Sequence, residues 1–296
     1  MIILRTCIFG GLIIQSWLNT VIKYFTFVHF RSPATSHSVL PERNVLLATI
    51  LPSLVAIYAF YQFADPAYID WFLAGNVDKE GLFYLTTDIG QSHWILVSSG
   101  SVLLFMSGFN FMGLSLPQQI HWHHIFLKFY FAFSTVAFSG LLVIALKNLI
   151  GRARPIFFET PDVWFSSPLT HPYMFASFPS GHTATMAALA SVLYLVAPRI
   201  SLVFIPVAIW VSISRLVVGA HFPSDIAAGL VLGIVFTWFY ARLFARKRLL
   251  FEFSENGNLQ LRNLSAKRAR RKIRKNAKSL KGLGLGLSRR AVDKKA

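Results

Sequence analysis

Six apolar runs decide what this chain can fold into. They lie near residues 45–64, 93–113, 124–146, 182–198, 200–219 and 225–245. Each is about the length an α-helix needs to cross a ~30 Å hydrocarbon core. Only 14% of the residues are charged, against about 25% in a soluble domain, so the runs read as membrane spans rather than buried core. The expected fold is all-α: a six-transmembrane-helix bundle with an N-terminal interfacial helix and a basic C-terminal tail. The tight Ala197-Pro198-Arg199 junction makes the fourth and fifth runs an antiparallel hairpin. Cys7 is the single cysteine, which excludes an intramolecular disulfide and a cysteine metal cluster.

Charge is distributed unevenly. The net charge is +17, yet residues 246–296 hold 17 Lys/Arg against 3 acids, so the body is nearly balanced. The chain divides into an N-terminal amphipathic segment and linker (1–44), a six-span domain (45–245) and a basic tail (246–296). In 8–28, Gln15, Ser16, Asn19, Lys23 and Thr26 recur at helical spacing, which suits a helix lying in the membrane interface. The 65–92 loop is acidic, carrying Asp65, Asp70, Asp78, Glu80 and Asp88 against Lys79. Lys/Arg-rich segments stay in the cytoplasm, which puts the tail inside and the 65–92, 147–181 and 220–224 segments outside. The 267–278 block, eight Lys/Arg in 12 residues, reads as a topology anchor against anionic lipid headgroups. Specific nucleic-acid binding is not expected, since no aromatic residue is interleaved in 256–296 for base stacking.

Three separated pieces of sequence fall on the outer side. The first is ALKNLIGRARP, with Lys147 near the end of the third run and Arg154 just ahead of Pro155, a position that disfavours helix. Snorkelling helix-end cations explain such a piece equally well, but net positive charge outside runs against the usual bias, and Arg152 adds to it. The second is SFPSGHTAT at 177–185, a turn opening an apolar helix. Its unpaired N–H groups and positive dipole end suit an anion, and His182 sits in its first turn. The third is SRLVVGAHFPSD. Arg215 lies inside an apolar run, where an ionisable residue is costly and therefore a functional candidate. Pro223 opens the last helix. Asp225 in its first turn either caps that helix or accepts a hydrogen bond from His221 and fixes its tautomer. Cations, two histidines, a carboxylate and a helix N-terminus together fit a phosphate monoester, whose transfer needs charge stabilisation and in-line positioning.

Lys147-x6-Arg154-Pro155, Pro179-Ser180-Gly181-His182 and Ser214-Arg215-x5-His221-x3-Asp225 together resemble the three-part signature of the type 2 phosphatidic acid phosphatase superfamily, which vanadium haloperoxidases share. No motif position departs from it, and the resemblance covers roughly 45–245. It implies a phosphohistidine on His221, oriented by Asp225, with His182 as general acid. Lys147, Arg154 and Arg215 would hold the phosphate oxygens, with Ser180 and the Gly181 N–H completing the pocket. It further implies a metal-independent lipid phosphatase of the cell (inner) membrane with no cofactor, its site facing the periplasm or exterior. The expected substrate is a phosphorylated lipid: lipid A phosphate, phosphatidylglycerol phosphate, phosphatidic acid or undecaprenyl pyrophosphate. Competing readings are lipid-to-lipid phosphotransfer on the same site and a non-catalytic membrane anchor presenting the basic tail. His121, His123 and His124 read as an interfacial Trp/His belt in a loop, without a carboxylate or cysteine to complete a metal site.

Overall fold

The structure, a computed structural model, describes residues 26, 32–35, 38–77, 80–108, 113–157, 166–169 and 173–262. All of the 8–28 amphipathic run except Thr26, and the whole 267–278 block, lie outside the described residues.

Every apolar run contains helix. α1 (Arg43–Ala59) passes through a π-helical turn (Phe60–Ala64) into α2 (Asp65–Leu73). α3 (Leu82–Thr86) and a 3-10 turn (Thr87–Gly90) lead into α4 (Ser92–Gly108) across a 43° bend. Then come α5 (Leu116–Ile150), α6 (Gly181–Val196), α7 (Pro198–Val217) and α8 (Pro223–Arg246). A short antiparallel hairpin, β1 (Phe251–Phe253) and β2 (Leu259–Leu261), follows α8.

Among the described residues, four helical paths, α1–α2, α5, α7 and α8, are long and apolar enough to cross a membrane, and the bent α3–α4 unit makes a fifth if it is one span, against the six expected. α6 has 16 residues, about 24 Å at 1.5 Å per residue, short of a ~30 Å core. Only Ala197 separates α6 from α7, so the two form the expected hairpin.

Three other expectations are corrected. Asp65 is not a loop acid: the first helical path continues to Leu73, and Asp65 is fully buried at the start of α2. His121, His123 and His124 lie on helix, because α5 starts early, at Leu116. Ser115 caps that start, with its N–H donating to Gln118 Oε1 (3.0 Å), and Pro117 is tolerated in the first turn. The fold is also not wholly helical. The residues just past 246 form the β-hairpin, and Leu249, Leu250 and Phe251 bury against α5 and α8. Phe251 meets Phe131 edge-on at 5.0 Å, and Phe131 meets Phe244 at 5.1 Å.

Small residues draw α6 against α8. A β-carbon on Gly229 would meet the Ser180 carbonyl oxygen at 2.6 Å, and one on Gly233 the Ala184 carbonyl oxygen at 2.5 Å. Glycine four residues apart on one face lets two helix backbones touch, a packing mode that suits membranes, where hydrophobicity does not drive helices together. This contact lays the N-terminus of α6 beside the N-terminus of α8.

Candidate active site

The end of the bundle opposite the hairpin joins the C-termini of α5 and α7 to the N-termini of α6 and α8. Each of the three sequence pieces therefore arrives at a helix end. α5 stops at Ile150 because Gly151 takes a left-handed conformation (φ 61°), its N–H donating to the Lys147 carbonyl (2.8 Å). A β-carbon there would strike the Ser167 carbonyl oxygen at 2.4 Å. Lys147 thus stays on the last turn, and Arg154 returns toward it through a loop rather than along a shared helical face. The 173–180 segment is stitched to this loop: Arg154 N–H donates to the Met174 carbonyl (2.9 Å) and Ser177 N–H to the Arg152 carbonyl (3.0 Å). Ser180 N–H donates to the Asp225 carbonyl (3.0 Å), which links the second piece to the third.

All eight residues singled out in the sequence come together here. Gly181, at the first position of α6, packs against Lys147 Cε and Val143, and Ser180 is its buried N-cap. Lys147 lies within electrostatic reach of Arg154, Arg215 and Asp225, and His182 within reach of Arg215, Lys147 and Arg154. The three cations make only neutral contacts among the described residues. Lys147 Nζ donates to the Ala176 carbonyl, Arg154 Nε to the Tyr173 carbonyl (3.0 Å), and Arg215 Nη1 to Thr87 Oγ1 (2.6 Å). No described carboxylate reaches ion-pair distance of any of them. Their charges converge, unpaired by any described carboxylate, beside the N-terminus of α6, an arrangement that suits a multiply charged anion.

His221 is buried between α7 and α8. Burial holds its imidazole well below the ordinary value of 6.5, and Lys147 and Arg154 push the same way, while Asp225 opposes them. A ring that stays neutral at pH 7 keeps a nucleophilic lone pair. Its Nδ1 faces Asp225 Oδ2 at 3.6 Å, an ion-pair separation but longer than a hydrogen bond. Asp225 meanwhile accepts the Phe222 N–H (2.9 Å), so it also caps α8. Helix capping and proximity to His221, alternatives in the sequence, coexist on one carboxylate. His182 Nε2 is buried without a hydrogen-bond partner, and Gly90 packs so closely that a β-carbon there would meet the His182 ring at 2.8 Å.

Four residues at the site were not selected from the sequence for what they do. Arg152, grouped there with the phosphate-facing cations, is instead fully buried between two carboxylates, Asp65 (2.8 Å) and Asp225 (2.7 Å). Asp65, counted as an outer-loop acid, is one of them. Ser177 Oγ donates to Asp225 Oδ2 (2.5 Å), and Thr87 receives both Arg215 and Ser214 (2.9 Å). For Asp65 a signal existed: AFYQFADPAYIDW surrounds it with apolar and aromatic residues, unlike a solvated loop.

Residues 128–249, which include all three sequence pieces, match the PAP2 superfamily. The chain is 38% identical over 175 residues to the lipid A 1-phosphatase of Rhizobium johnstonii, covering 58% of this chain and 71% of that one. It is likewise 38% identical over 175 residues to the lipid A 1-phosphatase of Rhizobium etli, covering 58% and 75%. A solved structure, the first transmembrane PAP2 type phosphatidylglycerolphosphate phosphatase from Bacillus subtilis, overlays with a TM-score of 0.44 at 22% identity, covering 66% of this chain and 92% of that one. The chain belongs to the PAP2 superfamily. It is a membrane-embedded lipid phosphatase of that class.

Proposed function

We propose that the chain removes a phosphate from a glycolipid of the lipid A class, through a phosphohistidine on His221. The observation that carries the reading is three cations, none within ion-pair distance of a described carboxylate, grouped around a buried imidazole held below its ordinary value. Lys147, Arg154 and Arg215, with the Ser180 hydroxyl and the Gly181 N–H, would bind the phosphate oxygens. His221 Nε2 attacks phosphorus as the bond to the lipid oxygen breaks, and His182 donates a proton to that oxygen. Asp225 opposes the positive charge that develops on the phosphorylated ring. Water then attacks phosphorus, gives a proton to His182, and releases inorganic phosphate.

The substrate class is supported by the two Rhizobium relatives. The siting is supported by charge: the end carrying the motifs lies at the opposite end of α8 from Arg246, Lys247 and Arg248, so the active site would face outward and the tail inward. Six crossings would then comprise α1–α2, α3–α4, α5, α6, α7 and α8, with the short α6 met by local thinning of the bilayer. The 267–278 block would rest on anionic headgroups.

The test is phosphate release from purified protein in detergent, over lipid A phosphate, phosphatidylglycerol phosphate, phosphatidic acid and undecaprenyl pyrophosphate. The expected outcome is highest kcat/KM on lipid A phosphate, and no release by His221→Ala on any of the four. Release by that variant would remove the nucleophile assignment. A preference for another lipid would remove the substrate assignment. Phosphate appearing on an acceptor lipid rather than free would convert the reading to phosphotransfer.

A further inference from the structure

We infer that Asp65 and Arg152 are positioning residues for the reaction, which together hold Asp225 so that one of its oxygens stays turned to His221. The inference rests on the proposed role of His221 as nucleophile. It begins from the way a single guanidinium is divided. Arg152 Nη1 donates to Asp225 Oδ1 (2.7 Å) and to Ser224 Oγ (2.7 Å), while Nη2 donates to Asp65 Oδ2 (2.8 Å). Asp65 is anchored in turn by the first residues of α8: its Oδ1 accepts the Ser224 N–H (2.9 Å) and its Oδ2 the Ser224 hydroxyl (2.5 Å). The Phe222 ring covers Arg152 Cζ at 4.0 Å. Arg152, Asp65, Ser224 and Asp225 are each 0–1% exposed.

An arginine buried beside one carboxylate ordinarily takes both of its oxygens in a fork. Here it does not: Nη2 goes to Asp65, and Nη1 engages Asp225 through Oδ1 alone. Asp225 Oδ2 is left to Ser177 Oγ (2.5 Å), the Phe222 N–H (2.9 Å) and, at 3.6 Å, His221 Nδ1. Asp65 therefore acts through Arg152, by drawing Nη2 away from Asp225. The link is invisible to local reading: Asp65 lies 87 positions before Arg152 and 159 before Ser224.

A structural clamp with no such role makes a different prediction, which enzyme kinetics can separate. Asp65→Asn, Arg152→Gln and the double variant are purified in detergent. The measurements are kcat on the preferred lipid and inhibition by inorganic phosphate. Asn preserves the shape of Asp65 while removing the charge that holds Nη2. Asp65→Asn should lose roughly 10–100-fold in kcat, the usual size of an outer-shell effect. Its inhibition by phosphate should stay unchanged, since Lys147, Arg154 and Arg215 are untouched. The double variant should lose no more than the worse single one, because Asp65 acts through Arg152. Wild-type kcat in Asp65→Asn would overturn the inference, as would a parallel loss of phosphate inhibition, or single losses that multiply. Should Arg152→Gln not fold, the split between kcat and phosphate inhibition in Asp65→Asn decides alone. His221→Ala, run alongside, keeps the two readings apart. Activity in that variant removes the proposed function, whereas an inactive His221→Ala with a fully active Asp65→Asn removes only this inference.

Discussion

Arg152 and Arg154 stand two residues apart and have opposite fates. Arg152 turns inward, where two carboxylates neutralise it and the Phe222 ring covers it. Arg154 turns to the pocket, donates to the Tyr173 and Ala220 carbonyls, and lies under the Tyr173 ring at 3.8 Å, with no described carboxylate at ion-pair distance. One cation is paired with carboxylates, and on the proposed function the other is kept for a phosphate. The same chemical group serves both uses, and the difference is set by what the fold puts opposite it.

Substitutions can break this comparison. Arg152→Ala strands Asp65 and Asp225 as buried charges, so unfolding in detergent should show a loss of about 3–5 kcal/mol. Arg154→Ala removes a cation with no carboxylate partner among the described residues. It should leave the unfolding midpoint near wild type while kcat/KM falls by about 10²–10³, or roughly 2.7–4 kcal/mol of transition-state stabilisation. If the two variants behaved alike in both assays, the division between structural and phosphate-facing arginine would fail. Gly229→Val drives a side chain into the Ser180 carbonyl. Overpacking of that kind costs about 1–3 kcal/mol, and it should lower kcat as well, since Ser180 is hydrogen-bonded to Asp225. Gly219→Ala tests the seat of His221 from the other side. Gly219 is left-handed (φ 70°), and a β-carbon would meet the Phe72 ring at 2.6 Å. A loss of about 1–2 kcal/mol is expected from backbone handedness alone.

The smallest effect expected is a displacement of a pH profile. On the proposed mechanism the free His221 imidazole must be unprotonated to attack, and burial depresses its affinity for a proton. The acid limb of kcat/KM should therefore lie below pH 6.5, after correction for the substrate phosphate, which itself ionises near pH 6. A limb at or above the ordinary imidazole value would mean that Asp225 outweighs burial and the neighbouring cations.

Much of this was legible in residue order. Pro223 opens α8 as read, since proline is preorganised for a first helical position. Arg154 falls past the end of α5, as Pro155 suggested, though Gly151 sets the actual stop. The apolar runs all contain helix, because a hydrophobic stretch of that length is a local property. The eight motif residues were also readable, and they converge because each sits at a helix end on the same side of the bundle.

Other features belong to the tertiary structure alone. Pro155 set Arg154 apart and aromatic neighbours marked Asp65, but the roles of Arg152 and Asp65 depend on partners scores of residues away, selected only when α2, the loop after α5 and α8 are brought together. The β-hairpin is of the same kind: 251–261 is a short segment with two acids at the head of the basic tail, and the core surface that includes Phe131 and Phe244 gives its apolar residues somewhere to bury. Sequence determined where helices form and which groups can bind a phosphate, because both follow from residue type and short-range spacing. Which charges are cancelled and which stay available was decided by packing, because neutralising a buried ion depends on distance in space and not on distance along the chain.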